Sequence, residues 1–475
     1  QKGREKMKFT KKQLIYLMVG LILGIAIALI PAPSGLEVQA MRVIGILVCA
    51  IVWWAGQVFH EAVTAILMCV AFVIFGKVPI EVSFSAFSGS TYWLLVAAFG
   101  LGAAIKACGL LERIAIILLK LFPKSYRGQV IGLLAVTTIT SPFVPSKAAK
   151  CTVLSPLTRG ISEAMGYKNE GKEATGLFLA YYSAICFSPA MFITASVTTA
   201  ALVGMYSAEI QAEYTMVKWA LCSLPFIVPF FIGNYLYISS RYKPASGQKL
   251  DVSFLEERQK ALGPWKREEK IMGVIMILTV LSWVLKSVTN IPEYATALIA
   301  LCATLIFGIL PVKQWRNNVA WESLIFIACS VGLGTVLPHV NITTWLSEAV
   351  GPYTVGFFSN PFLLIAGLAV LTLLVRFLIL SEIGYLSVFT ALLIPLGISA
   401  GINPWIIGFI LNAFVIGWFL PYQSSVYLTA IYAAGEGWVT IKDTTKYCYV
   451  YCIIGLVCMY IAYFLWNLMG IWSIA

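Results

Sequence analysis

Lysine is poorly suited to an apolar run, yet "SPFVPSKAAKCTVLSPL" (141–157) holds two, Lys147 and Lys150, with Ser146 directly before the first. At the centre of a membrane helix a lysine costs about 2.5–3.5 kcal/mol on insertion scales, so it points to a substrate or ion path. Three further stretches carry comparable interruptions. "ICFSPAMFITASVTTAALVG" (185–204) holds Pro189, Thr194, Ser196, Thr198 and Thr199. "VRFLILSEIGYLSVFTALLIPLG" (375–397) holds Arg376, Glu382, Tyr385 and Ser387. "GWFLPYQSSVYLTA" (417–430) holds Pro421, Gln423, Ser424, Ser425 and Thr429. Helices broken in this way present backbone N–H groups and positive dipole ends, which favour anions. The hydroxyls say less by themselves, because Ser and Thr also bond back to their own helix.

Charge narrows the ligand. In these stretches Lys147, Lys150 and Arg376 stand against one carboxylate, Glu382. Arg376 and Glu382 share one arm and are expected to pair, which leaves both lysines without an acidic partner. A dianion supplies the missing charge, and hydroxyl and backbone donors satisfy its oxygens. Two placements are open for Lys150: toward the anion, or snorkelling to the cytoplasmic rim.

The elements that must position these groups are membrane helices. Of 475 residues, 60% are hydrophobic and 11% charged, against roughly 25% charged in a soluble domain. Apolar runs near 13–31, 39–58, 61–78, 91–107, 174–206, 217–239, 271–289, 293–312, 321–338, 404–434 and 447–471 predict an all-α polytopic membrane protein with eleven transmembrane helices. The run after "QKGREKMKFTKK" has about 18 residues and no small-residue cleavage site, so it reads as the first span and not a signal peptide. Stretches 128–158 and 358–400, interrupted by Pro, Ser and charge, suit re-entrant hairpins. Such backbone is tolerated only where it is buried in protein or lines a watery cavity.

With the N-terminus in the cytoplasm, 26 of the 33 Lys and Arg fall at cytoplasmic ends, four outside and three in the hairpins. That follows the positive-inside rule and places the tail "NLMGIWSIA" outside. It also accounts for the net charge of +12 without nucleic acid as a partner.

The polar stretch 241–270 divides the chain. Residues 1–38 form a cytoplasmic segment and first helix, 39–240 a first repeat with hairpin 128–158 and broken helix 174–206, and 271–475 a second with hairpin 358–400 and broken helix 404–434. "FGLGAAIKACGLLERI" (99–114) resembles "VGLGTVLPHVNITTWL" (331–346), and "TVLSPL" (152–157) resembles "ALLIPL" (391–396), at offsets of 232 and 239 residues. Five spans per unit give the second unit opposite polarity. Inverted repeats of this kind are expected of secondary transporters that bind at the midplane.

Other chemistries find less support. Eleven cysteines lie in apolar segments without a CxxC pair, and His60 and His339 stand at run ends, where capping or interfacial roles suit them better than metal ligation. No metal or cofactor is expected. The sequence has no HExxH and no paired intramembrane carboxylates, which argues against an enzyme. A channel fits less well than alternating access, given two hairpins opening from opposite faces.

From about residue 40 the chain resembles the divalent anion/sodium symporter family. Sodium-coupled members carry Ser-Asn-Thr at both hairpin tips; the aligned positions here read Ser146-Lys147-Ala148 and Tyr385-Leu386-Ser387. "PSKAAK" and "AMFITA" (190–195) are similar to the exchanger branch, which includes plastid 2-oxoglutarate/malate translocators and bacterial citrate/succinate antiporters. Thr199 stands where that branch has Asn-Pro, and "PYQSSVYL" matches its second broken helix loosely.

The resemblance implies a dimeric elevator transporter of di- or tricarboxylates in the plasma membrane. The expected activity is sodium-independent exchange of C4–C5 dicarboxylates such as succinate, malate, fumarate or 2-oxoglutarate, with citrate a further candidate. Lys147 is the expected built-in substitute for the cation. Sodium- or proton-coupled symport is the alternative. The expected binding residues are Ser146, Lys147, Lys150, Thr194, Ser196, Thr198, Thr199, Tyr385, Ser387, Pro421, Gln423, Ser424, Ser425 and Thr429.

Overall fold

Backbone polar groups in lipid must be satisfied within the segment, which makes the helix the default for long apolar runs. The computed structural model describes residues 9–245 and 249–474, and among them every regular element is helical. Residues 1–8 of the expected cytoplasmic segment, 246–248 of the linker and the last residue of the tail lie outside the described residues. Among the described residues seven helices are long and apolar enough to cross a membrane, and the chain has an all-helical membrane-protein fold. Shorter apolar helices cover Glu61–Ile74, Glu293–Ile306, Pro361–Val375 and Pro404–Phe414.

The first three helices are α1 (Lys11–Leu29), α2 (Val38–Gly56) and α3 (Glu61–Ile74). His60 caps α3, its ring nitrogen accepting from Ala62 N at 3.4 Å. Two later junctions share one device. Gly109, at φ +83°, separates helix Ser90–Cys108 from Leu110–Lys120, and Asn341, at φ +61°, separates Leu333–His339 from Ile342–Ser359. Left-handed backbone ends a helix at little cost for Gly and tolerably for Asn.

Proline and capping serines build the parts around the site. Helix α4 (Tyr126–Thr140) ends in a 3-10 turn at Ser141–Phe143, and after Pro145 the chain re-enters helix as α5 (Lys147–Ala164). Helix α6 (Lys172–Phe187) dissolves into two 3-10 turns, Ser188–Ala190 and Ile193–Ala195, before α7 (Val197–Met205). In the second half α8 (Pro361–Val375) turns back into α9 (Glu382–Ser399). Helix α10 (Pro404–Phe414) gives way to irregular chain and a 3-10 turn at Pro421–Gln423, then α11 (Ser425–Tyr432).

Packing crosses the halves. Helix α5 lies against α6 of its own half and α11 of the other, while α9 lies against α10 of its own half and α7 of the other. Ser155 Oγ donates to Ala430 O at 2.6 Å across the α5–α11 contact. Behind it, Tyr182 packs edge-on against Trp418 and Tyr427, with ring centroids 5.0 and 5.7 Å apart. Each such pair adds about 0.5–1.5 kcal/mol beyond the area it buries and holds the second break rigidly.

The polar linker is also folded. Its helix Val252–Ala261 lies on Leu110–Lys120, and Arg113 clasps the following turn. Arg113 Nε meets Glu269 at 2.9 Å, and its remaining nitrogens reach Gly263 O at 3.1 Å and Leu262 O at 3.2 Å. The sequence had shown a boundary here, not a buried ion pair.

Candidate functional site

Four helices begin at the centre of this arrangement, and each begins with a serine. Ser146, Ser196, Ser381 and Ser424 are the N-caps of α5, α7, α9 and α11. Their hydroxyls accept from the N–H three residues on: Ala149 at 3.1 Å, Thr199 at 3.2 Å, Gly384 at 3.1 Å and Tyr427 at 3.2 Å. A serine cap satisfies one of four orphan donors at a helix start, leaving the others and the dipole available to an anion.

An ion pair ties two of these starts together. Lys147 and Glu382 are the first residues of α5 and α9, and Lys147 Nζ lies 2.5 Å from Glu382 Oε2. Their side chains are 9% and 16% exposed, so the pair is largely withdrawn from water. The expected Arg376–Glu382 pair does not form. Glu382 sits at a helix N-terminus, where a carboxylate is favoured, and reaches across to the other tip.

Arg376 is consumed by backbone instead. As the C-cap of α8 it donates to Ile379 O at 2.6 Å, Leu380 O, Val415 O at 3.0 Å and Gln423 O at 3.0 Å. It thus closes its own turn and fastens it to the second break. Lys150 does the equivalent in the first half, donating to Ser141 Oγ at 2.9 Å and Ala195 O at 3.1 Å. With no exposed surface, Lys150 is not a rim residue. Among the described residues neither Lys150 nor Arg376 makes a salt bridge, so the region keeps two cations that no ion pair neutralises.

The other expected residues divide into two groups. Thr194 donates to Pro142 O at 2.9 Å, joining the first break to the first tip. Thr198 bonds Ser196 Oγ at 2.7 Å, and Thr199 donates to Pro189 O at 2.9 Å while accepting from Asn412 Nδ2 at 3.1 Å. Pro421 opens the 3-10 turn of the second break, and Gln423 Oε1 accepts from Leu420 N at 2.9 Å. Among the described residues Gln423 Nε2 is buried without a hydrogen-bond partner, as is the hydroxyl of Tyr182, which stands beside Ser424. These are two donors lacking acceptors.

Outside this group, Ser425 is exposed, and Thr429 bonds back to Ser425 O at 2.9 Å. Tyr385 and Ser387 are not at the tip. Tyr385 is buried with its hydroxyl 2.8 Å from Thr372 Oγ1, and Ser387 donates to Ile383 O at 2.7 Å, one turn back. The second tip is Ser381-Glu382, which matches Ser146-Lys147 in cap position and lies 235 residues further along. Sequence alignment missed it by four residues, although Ser followed by Glu before an apolar run is a readable helix start. Tyr182 and Ser141 carried no comparable signal. Glu61, at the start of α3, is exposed and close to Ser381.

Known proteins are similar to this chain in sequence and in fold. The family described as the sodium:sulfate symporter transmembrane region matches residues 11–472. YflS of Bacillus subtilis, named as a candidate malate transporter, is 28% identical over 353 residues, covering 73% of this chain and 74% of its own. The chloroplastic dicarboxylate transporter 2 of Spinacia oleracea is 24% identical over 458 residues, covering 92% of this chain and 78% of its own. The solved structure of MtrF from Neisseria gonorrhoeae, titled as illuminating a class of antimetabolite efflux pumps, superposes with a TM-score of 0.59 at 14% identity. It covers 97% of this chain and 96% of its own, a likeness of fold.

Proposed function

The chain belongs to the family of the sodium:sulfate symporter transmembrane region, a family of membrane transporters, and we propose that it carries out sodium-independent exchange of C4–C5 dicarboxylates. The observation that carries the reading is the meeting of serine-capped helix starts around Lys147–Glu382, flanked by two buried cations that make no salt bridge among the described residues. A dicarboxylate seated there takes one carboxylate at the starts of α5 and α7 and the other at α9 and α11. Lys147 has three N–H donors and Glu382 accepts one, so the ammonium still has donors for substrate. Gln423 Nε2 and Tyr182 Oη supply further donors at the second break.

Lys147 and Glu382 stand, in cap register, where sodium-coupled members of the resembling family have asparagines. An internal ion pair in place of bound sodium supports independence from that ion. The pair cancels itself, leaving Lys150 and Arg376 to balance a dianion. Glu61, close to Ser381, offsets part of that charge, so the empty site keeps a net positive charge whose passage through the membrane is costly and which a bound dianion removes. Exchange follows, because only the loaded carrier moves readily.

The finer architecture belongs to the same proposal: eleven spans, an inverted repeat, elevator movement, a homodimer and a cytoplasmic N-terminus in the plasma membrane. Gly109 and Asn341 support the repeat, since the offset of 232 residues seen in the sequence relates the two left-handed junctions. The basic residues support the orientation.

Counterflow in proteoliposomes tests the function. Radiolabelled malate or succinate should enter only against internal dicarboxylate and without sodium. Uptake that needs sodium and no internal substrate overturns exchange in favour of symport. Sulfate belongs in the competitor panel and should compete poorly with dicarboxylates. Replacing Lys147→Asn together with Ala148→Thr and Glu382→Asn should introduce sodium dependence if the ion pair stands in for sodium.

A further inference from the structure

Away from this site, α1, α2 and α3 enclose a groove of about 1020 Å³ whose walls are largely apolar. Its shape follows from small residues. A Cβ on Gly24 would lie 2.8 Å from Gly45 O, and one on Gly45 would lie 2.3 Å from Gly24 O, so α1 and α2 touch backbone to backbone. Trp53 Nε1 adds a bond to Leu17 O at 3.2 Å. This contact holds α1 on α2 and leaves a trough between α1 and α3, lined by Ile25, Leu29, Leu67 and Ile74.

Two cations stand at one end. Arg42 lies in the second turn of α2, and Lys77 follows α3 at φ +54°, its carbonyl accepting from Gln39 Nε2 at 3.2 Å. Both line the groove and neither makes a salt bridge among the described residues. At 1.5 Å rise per residue, the groove runs about 16 Å along α2 from Arg42 to Trp53. That is close to half of a hydrocarbon core about 30 Å thick, the depth of one leaflet.

We propose that this groove binds one membrane phospholipid, with an acyl chain between α1 and α3 and the phosphate between Arg42 and Lys77. Length, apolar walls and charge at the interfacial end fit that molecule together. Two unpaired cations attract a net-negative headgroup more than a zwitterionic one, so phosphatidylglycerol is preferred over phosphatidylcholine. The bound chain would bridge α1 and α3 across the groove that both helices line.

Native mass spectrometry of the full chain released from mild detergent should show one retained phospholipid per chain. After delipidation, phosphatidylglycerol micelles should raise the melting temperature at lower concentration than phosphatidylcholine micelles. Arg42→Gln with Lys77→Gln, both exposed positions, should weaken the phosphatidylglycerol response at least tenfold. Ala71→Trp, which fills the groove, should abolish retention of either lipid while the protein stays monodisperse. Wild-type lipid affinity in either variant overturns the proposal. Inorganic phosphate stabilising as well as the lipid overturns it, and so does cross-linking that finds a second copy seated in the groove.

Discussion

Lys150 and Arg376 fasten equivalent joints in the two halves, with different chemistry. Each ties a hairpin turn to the helix break beside it. Arg376 spends its planar fork on four carbonyls, three of them at 3.0 Å or less from its nitrogens and the fourth on Leu380. Lys150 reaches one hydroxyl and one carbonyl, and that hydroxyl, Ser141 Oγ, is itself bonded to Ser188 at 2.9 Å. A guanidinium so engaged is a fixed staple. An ammonium with a third donor and a rotatable hydroxyl partner can respond to a ligand. The second joint is therefore built for rigidity and the first for adjustment.

The largest effect should come from breaking the rigid joint. Arg376→Ala strands buried carbonyls worth about 1–3 kcal/mol each, and size-exclusion profiles should show little folded protein. Arg376→Lys should rescue poorly, since a point charge cannot serve the whole fork. Wild-type melting and transport in Arg376→Lys would remove the distinction between the joints.

Next comes the ion pair between the tips. Glu382→Gln or Lys147→Ala leaves a largely buried charge unpaired, at about 3–5 kcal/mol for a fully buried pair, and exchange should drop roughly 100-fold. The double change Lys147→Met with Glu382→Met should recover melting temperature without recovering exchange. Recovery of both would make the pair purely structural.

Lys150→Gln should have an intermediate effect. Dicarboxylate affinity should weaken roughly tenfold, about 1.4 kcal/mol, with a smaller fall in melting temperature than Arg376→Ala. Equal losses of stability in both variants would show two staples of one kind. The smallest effects belong to the caps: Ser196→Ala and Ser424→Ala should each cost about 1 kcal/mol and raise KM. Exposed Ser425→Ala should stay within about 0.5 kcal/mol of wild type. A larger KM change at Ser425 than at Ser424 would move the substrate away from the helix start.

The same contrast shows what the sequence could disclose. Apolar runs disclosed an all-helical membrane protein because lipid leaves the backbone few options, and Pro with Ser marked the points where Lys172–Phe187 and Pro404–Phe414 give way to 3-10 turns. Partners were harder to read. Arg376 and Glu382 are close in sequence and looked paired, but the ion pair joins residues 235 positions apart, and only tertiary packing reveals it. Tyr385 and Ser387 looked like a motif by residue type, while their hydroxyls serve Thr372 and their own helix. Reading cap positions in place of residue types would have found Ser381.

The span of the Lys147–Glu382 bridge also has a consequence in time. Its partners are separated by 235 residues, so at about 5–20 residues per second of synthesis the lysine waits roughly 12–47 s for its carboxylate. During that interval the first tip holds an unmatched ammonium in a half-made protein. The ion pair between the two tips is therefore closed only after the second half emerges.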